Sequence, residues 1–198
     1  MTKKINVDTL QPAFSVPEDV REKARNIKLL ILDIDGVMTN GSLFFDNHGQ
    51  EYKAFNSLDG HGLKMLQNSG VTVAIITGRK STLVEHRMHD LGITHLHQGH
   101  ADKLPVFKSI QKEMGLSRSQ IAYGGDDVVD LPVMLNAGFA ISVANGHHLA
   151  KQFSDWVTPT PGGQGAVRDI CELLMYAQGN YSRMMSVYFP DSHSPEAD

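Results

Sequence analysis

A chain of 198 residues that is 41% hydrophobic and 20% charged has the composition of a globular domain, and a domain of that size buries roughly 70% of its unfolded-chain surface, which excludes a largely disordered segment. The net charge of −4 excludes a broad electrostatic footprint for nucleic acid, and the one cysteine, Cys171, excludes an intrachain disulfide or a multi-cysteine zinc site. No apolar run approaches the ~18–20 residues of a membrane span, and Lys3-Lys4 precedes no apolar signal core, so the expectation is a cytoplasmic protein without membrane or nucleic-acid partners.

Residues 1–26 read as a prefix, with a short helix over 17–24 that has Pro17, Glu18 and Asp19 in its first turn; residues 1–15 are either packed or a disordered arm. Residues 27–33 then form a short, nearly continuous apolar run, the pattern of a parallel strand buried on both faces. A β-hairpin over 42–55, turning at 47–49, carries Leu43, Phe44, Phe45 and Tyr52. A helix over 61–68 stops at Gly70, a strand covers 71–77, a helix over 80–91 stops at Gly92, and a weaker strand covers 94–98. The helix over 102–114 has Pro105 in its first turn and Gly115 as its stop. Strands over 121–125 and 139–143 flank a short helix at 130–135; a short strand at 156–158 and a helix over 166–177, with Cys171 on its core side, complete the domain at residue 178. Strand–helix alternation with short connections implies an α/β fold around a parallel sheet. The tail, 179–198, is polar apart from Met184, Met185, Val187, Tyr188 and Phe189; the Met pair is expected to pack between subunits or stay loose, and the chain to be mobile beyond Pro190.

In open α/β sheets ligands bind at the carboxyl ends of the strands. There the sequence places Asp33-Ile34-Asp35-Gly36-Val37-Met38-Thr39 after the first strand, Thr77-Gly78-Arg79 after the second, Lys103 at the start of the helix after the third, and Gly125-Asp126-Asp127-Val128-Val129-Asp130 after the fourth. Clustered carboxylates remain ionised only beside a compensating cation. Hard oxygen ligands suit Mg²⁺, which commonly shares a phosphate, and Lys103 adds a second positive charge. Such a site suits phosphoryl transfer. Asp130 reads equally as a helix N-cap, and Arg79 and Arg87, eight positions apart, share one helix face that is either functional or solvated. His86, His89, His95 and His97 lack the carboxylate–histidine spacing of a zinc site and read as surface residues.

These four motifs, in order, resemble the haloacid dehalogenase superfamily of phosphatases. Residues 55–62, 76–79, 98–103, 125–134 and 161–168 are further similar to its capless branch, the 3-deoxy-D-manno-octulosonate 8-phosphate phosphatases. The resemblance implies a Rossmann-like three-layer α/β/α fold with a protruding hairpin. It implies Asp33 as nucleophile, Asp35 as general acid and then base, Thr77 orienting a phosphate oxygen and Lys103 neutralising charge. It implies Mg²⁺ held by the Asp33 side chain, the Asp35 backbone carbonyl and Asp126, with Asp127 and Asp130 supporting the metal shell and Lys103. Substrate contacts are implied for Asp35, Asn56, Ser57, Leu58, Asp59, Gly60, Lys64, Arg79, Arg87 and Lys103. Many relatives carry arginine at positions 58 and 64; Leu58 and Lys64 therefore leave a nine-carbon, sialic-acid-type 9-phosphate open as the alternative substrate.

Spacing adds an independent constraint. Asp35 and Thr77 are 42 positions apart, and Thr77 and Lys103 are 26 apart; hairpin, helices and strand fill both intervals and leave no room for a folded lid. A neighbouring subunit is then the natural cover, and the apolar hairpin the natural assembly element; the resemblance implies a homotetramer, with the 162–165 glycine loop bringing Arg168 towards an active site, and a role in lipopolysaccharide precursor synthesis. A receiver-like phospho-acceptor domain, the rival of another class, places its acid pair and its phosphorylated aspartate on different strands, unlike Asp33 and Asp35.

Overall fold

In the computed structural model, which describes residues 6–189, the apolar runs become β1 (Leu29–Leu32), β4 (Thr72–Thr77), β5 (His95–Gln98), β6 (Ile121–Gly125), β7 (Phe139–Ser142) and β8 (Trp156–Val157). They form one six-stranded sheet in the order β5-β4-β1-β6-β7-β8, with every pairing parallel. The hairpin strands β2 (Phe44–Phe45) and β3 (Glu51–Tyr52) pair with each other and stand apart from this sheet. Helices α1 (Glu18–Arg25), α2 (Ser57–Asn68), α3 (Thr82–Asp90), α4 (Leu104–Glu113), α5 (Leu131–Met134), α6 (His148–Gln152), α7 (Ala166–Ala177) and α8 (Tyr181–Ser186) complete the chain.

Strand side chains alternate between the two faces, and the core divides accordingly. Leu30, Leu32, Val73 and Ile75 join α2, α3 and α7 on one face. Leu29, Ile31, Ala74 and Ile76 join Phe107 and Ile110 of α4, Val133 and Met134 of α5 and Ala150 of α6 on the other. Burial on both faces is why these strands read as unbroken apolar runs rather than as alternations. The expected three-layer α/β/α architecture is the one observed. The prefix helix α1 lays Val20 and Ala24 onto the α7 side, and Cys171 is a buried core residue.

The structure adds local detail at three places. The tail folds back as α8, and Met184 and Met185 pack, half-buried, against the chain's own core; the expectation for residues beyond 190 lies outside the described residues. Gly124, on β6 beside Leu32 of β1, carries no side chain because Leu32 occupies the space: a Cβ there would sit 2.7 Å from Leu32 Cδ2. And α2 begins at Ser57, four residues earlier than its apolar periodicity indicates, because the Asn56 side chain caps it by accepting from Leu58 N at 2.8 Å.

That early start places Asp59 inside the fold. It is 1% exposed, its Oδ1 accepts from Arg168 N at 2.7 Å in the first turn of α7, and its Oδ2 is buried without a partner. Burial raises its pKa from 3.8 to about 6, although the amides of Arg168, Gly165 and Val167 oppose the shift. Because the folded value lies above the unfolded one, Asp59 is protonated when folded and ionised when unfolded between these two values. Its contribution therefore weakens the fold as pH rises from about 4 to about 6, by roughly 3 kcal/mol in all. Urea unfolding of wild type and Asp59→Asn across this range should show the variant gaining on the wild type by about that amount; a constant difference would contradict the assignment.

Candidate active site

The sheet changes direction at β1, with β4 on one side and β6 on the other, which opens a crevice at their carboxyl ends. Asp33 directly follows β1 and is tied to β6 by its amide, which donates to Gly124 O at 3.0 Å. The next residues turn tightly: the amides of Val37, Met38 and Thr39 all donate to Ile34 O. Gly36 sits in the turn at φ +107°, and a Cβ there would lie 2.1 Å from Asp126 Oδ2. Glycine is thus required both by the backbone angle and by the Asp126 carboxylate packed against it. The 162–163 glycine pair braces this turn from behind, with Gly163 N donating to Val37 O at 3.0 Å.

Lys103 reaches into the crevice from the start of α4. It is 4% exposed, and its Nζ lies 2.7 Å from both Asp33 Oδ1 and Asp130 Oδ1. Burial works against its charge, but the two carboxylates outweigh it and raise its pKa, so it is an ammonium. Asp130 is fully buried and saturated: Oδ1 also accepts from Tyr123 OH at 2.6 Å, and Oδ2 accepts from Asp126 N at 2.9 Å and Asp127 N at 3.1 Å. Four acceptor positions are all a carboxylate has. Asp130 therefore holds Lys103 and the Asp126 loop; it stands at the N-cap position of α5 but its side chain caps no amide of that helix, being turned back to the amides of Asp126 and Asp127. Asp127 is exposed and caps Val128 N at 2.7 Å.

Carboxylate oxygens of Asp33, Asp126 and Asp130 lie within 4.8 Å of one another. Because Asp130 is spent on four hydrogen bonds, Asp33 and Asp126 are the ones free to bind a cation. Both are strained as anions. Burial and Asp130 raise Asp33 to about 6 against the pull of Lys103, and burial, Asp33, Asp130 and Asp127 raise Asp126 to about 7. Three buried or half-buried acids against one ammonium leave a deficit of positive charge, and all the donors are oxygen. The residues present fit a hard divalent cation such as Mg²⁺.

Asp35, Thr77, Gly78, Arg79 and Lys103 line one cleft of about 300 Å³ with Asp33 and Asp126. Thr77 ends β4 and is 2% exposed. On the rim, Arg79 Nη2 bonds Glu51 Oε1 of β3 at 2.9 Å, its Nε lies 3.8 Å from Asp35 Oδ2, and its guanidinium stands over the Phe45 ring at 5.9 Å. Lys53, directly after β3, pairs with both Asp35 and Glu51.

Comparison with known proteins agrees with this geometry. Residues 93–169 match the model of the haloacid dehalogenase-like hydrolase family. The 3-deoxy-D-manno-octulosonate 8-phosphate phosphatase of Escherichia coli K12 is 48% identical over 164 residues, covering 83% of this chain and 87% of the relative. The Moraxella catarrhalis enzyme of that name, crystallised with magnesium, phosphate and KDO, superposes with a TM-score of 0.85 at 42% identity, over 86% of this chain and 98% of its own. The Yersinia pestis enzyme gives 0.82 at 45%, over 84% and 90%. This chain belongs to the 3-deoxy-D-manno-octulosonate 8-phosphate phosphatase family of haloacid dehalogenase-like hydrolases.

The family motifs meet in the cleft; the further residues marked by resemblance stay outside its lining. Asn56, Ser57, Leu58, Asp59 and Gly60 are the cap and first turn of α2. Leu58 is 59% exposed, and Asp59 faces α7, its carboxylate buried against the Arg168 amide and away from the cleft lining. Arg87 is packed beneath α2, with Nη2 3.4 Å from Asn56 O and its guanidinium 5.8 Å from the Phe55 centroid. Lys64 borders a separate hollow between α2 and α3. Arg168 turns to Glu172 on its own helix at 2.6 Å rather than towards the cleft. Two residues of the site carried no recognised motif. Tyr123 looked like ordinary β6 core. Lys53 lies in the hairpin outside every motif, and the fold brings it between the acids Glu51 and Asp35.

Asp130→Ala would leave Lys103, Tyr123 and two amides without their acceptor. We expect a loss of about 3–5 kcal/mol in urea unfolding, the cost of orphaning a buried ion-pair partner; Asp127→Ala, at an exposed cap, should cost only about 1 kcal/mol.

Proposed function

We propose that this chain hydrolyses 3-deoxy-D-manno-octulosonate 8-phosphate to the free sugar acid and inorganic phosphate. The observation that carries the chemistry is the buried Asp33–Lys103 pair, opening into a cleft that Asp35 also lines. An Asp33 carboxylate oxygen attacks phosphorus, the P–O bond to the sugar breaks, and a protonated Asp35 delivers its proton to the departing sugar oxygen. Asp35, now a carboxylate, accepts a proton from water; the water oxygen attacks the aspartyl phosphate, the bond between phosphorus and Asp33 breaks, and phosphate leaves. Lys103 stays beside Asp33 Oδ1 throughout and offsets negative charge on the transferring group. Thr77, at the end of β4, is placed to orient a phosphate oxygen. Bound between Asp33, Asp126 and the Asp35 backbone carbonyl, Mg²⁺ would supply Lewis-acid stabilisation of the phosphoryl oxygens.

The same reading places the protein in lipopolysaccharide precursor synthesis in the cytoplasm, consistent with the absence, among the described residues, of any helix long and apolar enough to cross a membrane. It also makes the protein a homotetramer. Leu43, Phe44, Phe45 and Tyr52 are each about half exposed on the hairpin, an apolar ridge that calls for cover. Lys64, Leu58 and Arg87, outside this subunit's cleft, are then candidates to face a neighbour's.

Released phosphate, measured with Mg²⁺ on the octulosonate 8-phosphate and on a sialic acid 9-phosphate, tests the reading. A large kcat/KM advantage for the octulosonate, lost by roughly 10³-fold or more in Asp33→Asn, is the expected result. Equal slow hydrolysis of both esters would overturn the substrate, and release surviving Asp33→Asn would overturn the mechanism.

A further inference from the structure

Four charged side chains close a ring at the mouth of the cleft. Asp35 and Glu51 are each bridged to both Lys53 and Arg79: Lys53 Nζ pairs with Asp35 Oδ1 and, at 3.3 Å, with Glu51 Oε1, while Arg79 reaches Glu51 at 2.9 Å and Asp35 at 3.8 Å. The two cations are not equivalent. The Arg79 side chain is 44% exposed and free to exchange its partners with water or substrate, whereas that of Lys53 is 2% exposed. A buried ammonium cannot exchange its partners for water, so its pairing with Asp35 and Glu51 is the fixed part of the ring. Lys53 comes from the hairpin, not from any strand of the main sheet, so the hairpin reaches the reacting centre through it.

We infer that Lys53 is a positioning residue of the phosphatase reaction: it sets the orientation in which the Asp35 carboxyl group meets the leaving-group oxygen. This rests on the general-acid reading of Asp35 given above. Lys53 pairs with Asp35 and Glu51, while Asp33 has its own contact to Lys103. Loss of Lys53 therefore leaves the Asp33–Lys103 contact in place and removes the fixed partner of the Asp35 carboxyl group. Proton delivery matters in proportion to the basicity of the leaving oxygen. A sugar alkoxide needs the proton; p-nitrophenolate leaves as a stable anion without it.

The test is kcat/KM for Lys53→Met on the octulosonate 8-phosphate and on p-nitrophenyl phosphate. This constant covers the steps up to departure of the leaving group and excludes the later hydrolysis common to both esters. We expect a loss of roughly 10- to 100-fold on the sugar ester and a change within about threefold on the aryl ester; retained aryl ester turnover also shows that the variant is folded. Equal losses on both esters would make Lys53 a structural residue, and full retention on the sugar ester would make it irrelevant; either overturns the inference. If Lys53→Met fails to fold, Lys53→Gln, which keeps a polar group of similar reach, carries the same comparison. A wild type inactive on the octulosonate ester removes the substrate reading alone. The comparison then runs on whichever primary alkyl phosphate the wild type hydrolyses, because leaving-group basicity, not sugar identity, is the variable.

Discussion

One ammonium group organises this protein. Lys103 is held between Asp33 and Asp130 in a region almost closed to water. Taking a lysine and two carboxylates out of water costs several kcal/mol per ion, and such an arrangement persists only where every remaining valence is met. Here it is met: Asp130 accepts from Lys103, Tyr123 and the amides of Asp126 and Asp127, so β6, the loop after it and α4 are fixed relative to one another. Asp33, directly after β1, receives what is left of the Lys103 charge. The cost of burial is concentrated where the chemistry needs a carboxylate held in one place.

The imbalance that remains is functional. Asp33 and Asp126 both hold protons more tightly than free aspartates do, because burial and neighbouring acids disfavour their charge. The same crowding that makes them poor isolated anions makes them good partners for a divalent cation. Gly36 permits the crowding, since a side chain at that point would occupy the Asp126 carboxylate. The aspartate–glycine spacing of the first motif is thus a packing requirement of the second acidic loop.

The fold and the reacting centre were largely legible in the sequence because both depend on local signals. Strands buried on both faces announce themselves as apolar runs, and Asp33, Thr77, Lys103 and Asp126 each sit at a strand end or helix start that the runs delimit. What was not legible depends on contacts between distant segments. Asp59 reads as a member of a substrate-binding segment, but the Asn56 cap starts α2 early and turns its carboxylate to α7, 109 positions away. Lys53 belongs to no motif of the hairpin; only the approach of the hairpin to the loop after β1 buries it against Asp35. Met184 and Met185 read as subunit packing or a loose tail because nothing local shows that α8 folds back onto α7 and the prefix.

The most direct test of the central claim asks which carboxylate takes the phosphoryl group. Protein quenched during turnover of the sugar phosphate and reduced with borohydride converts an aspartyl phosphate to homoserine, which peptide mass spectrometry locates. The account predicts homoserine at position 33 alone. Homoserine at Asp35, Asp126 or Asp130, or phosphate release with no conversion at any aspartate, would contradict it.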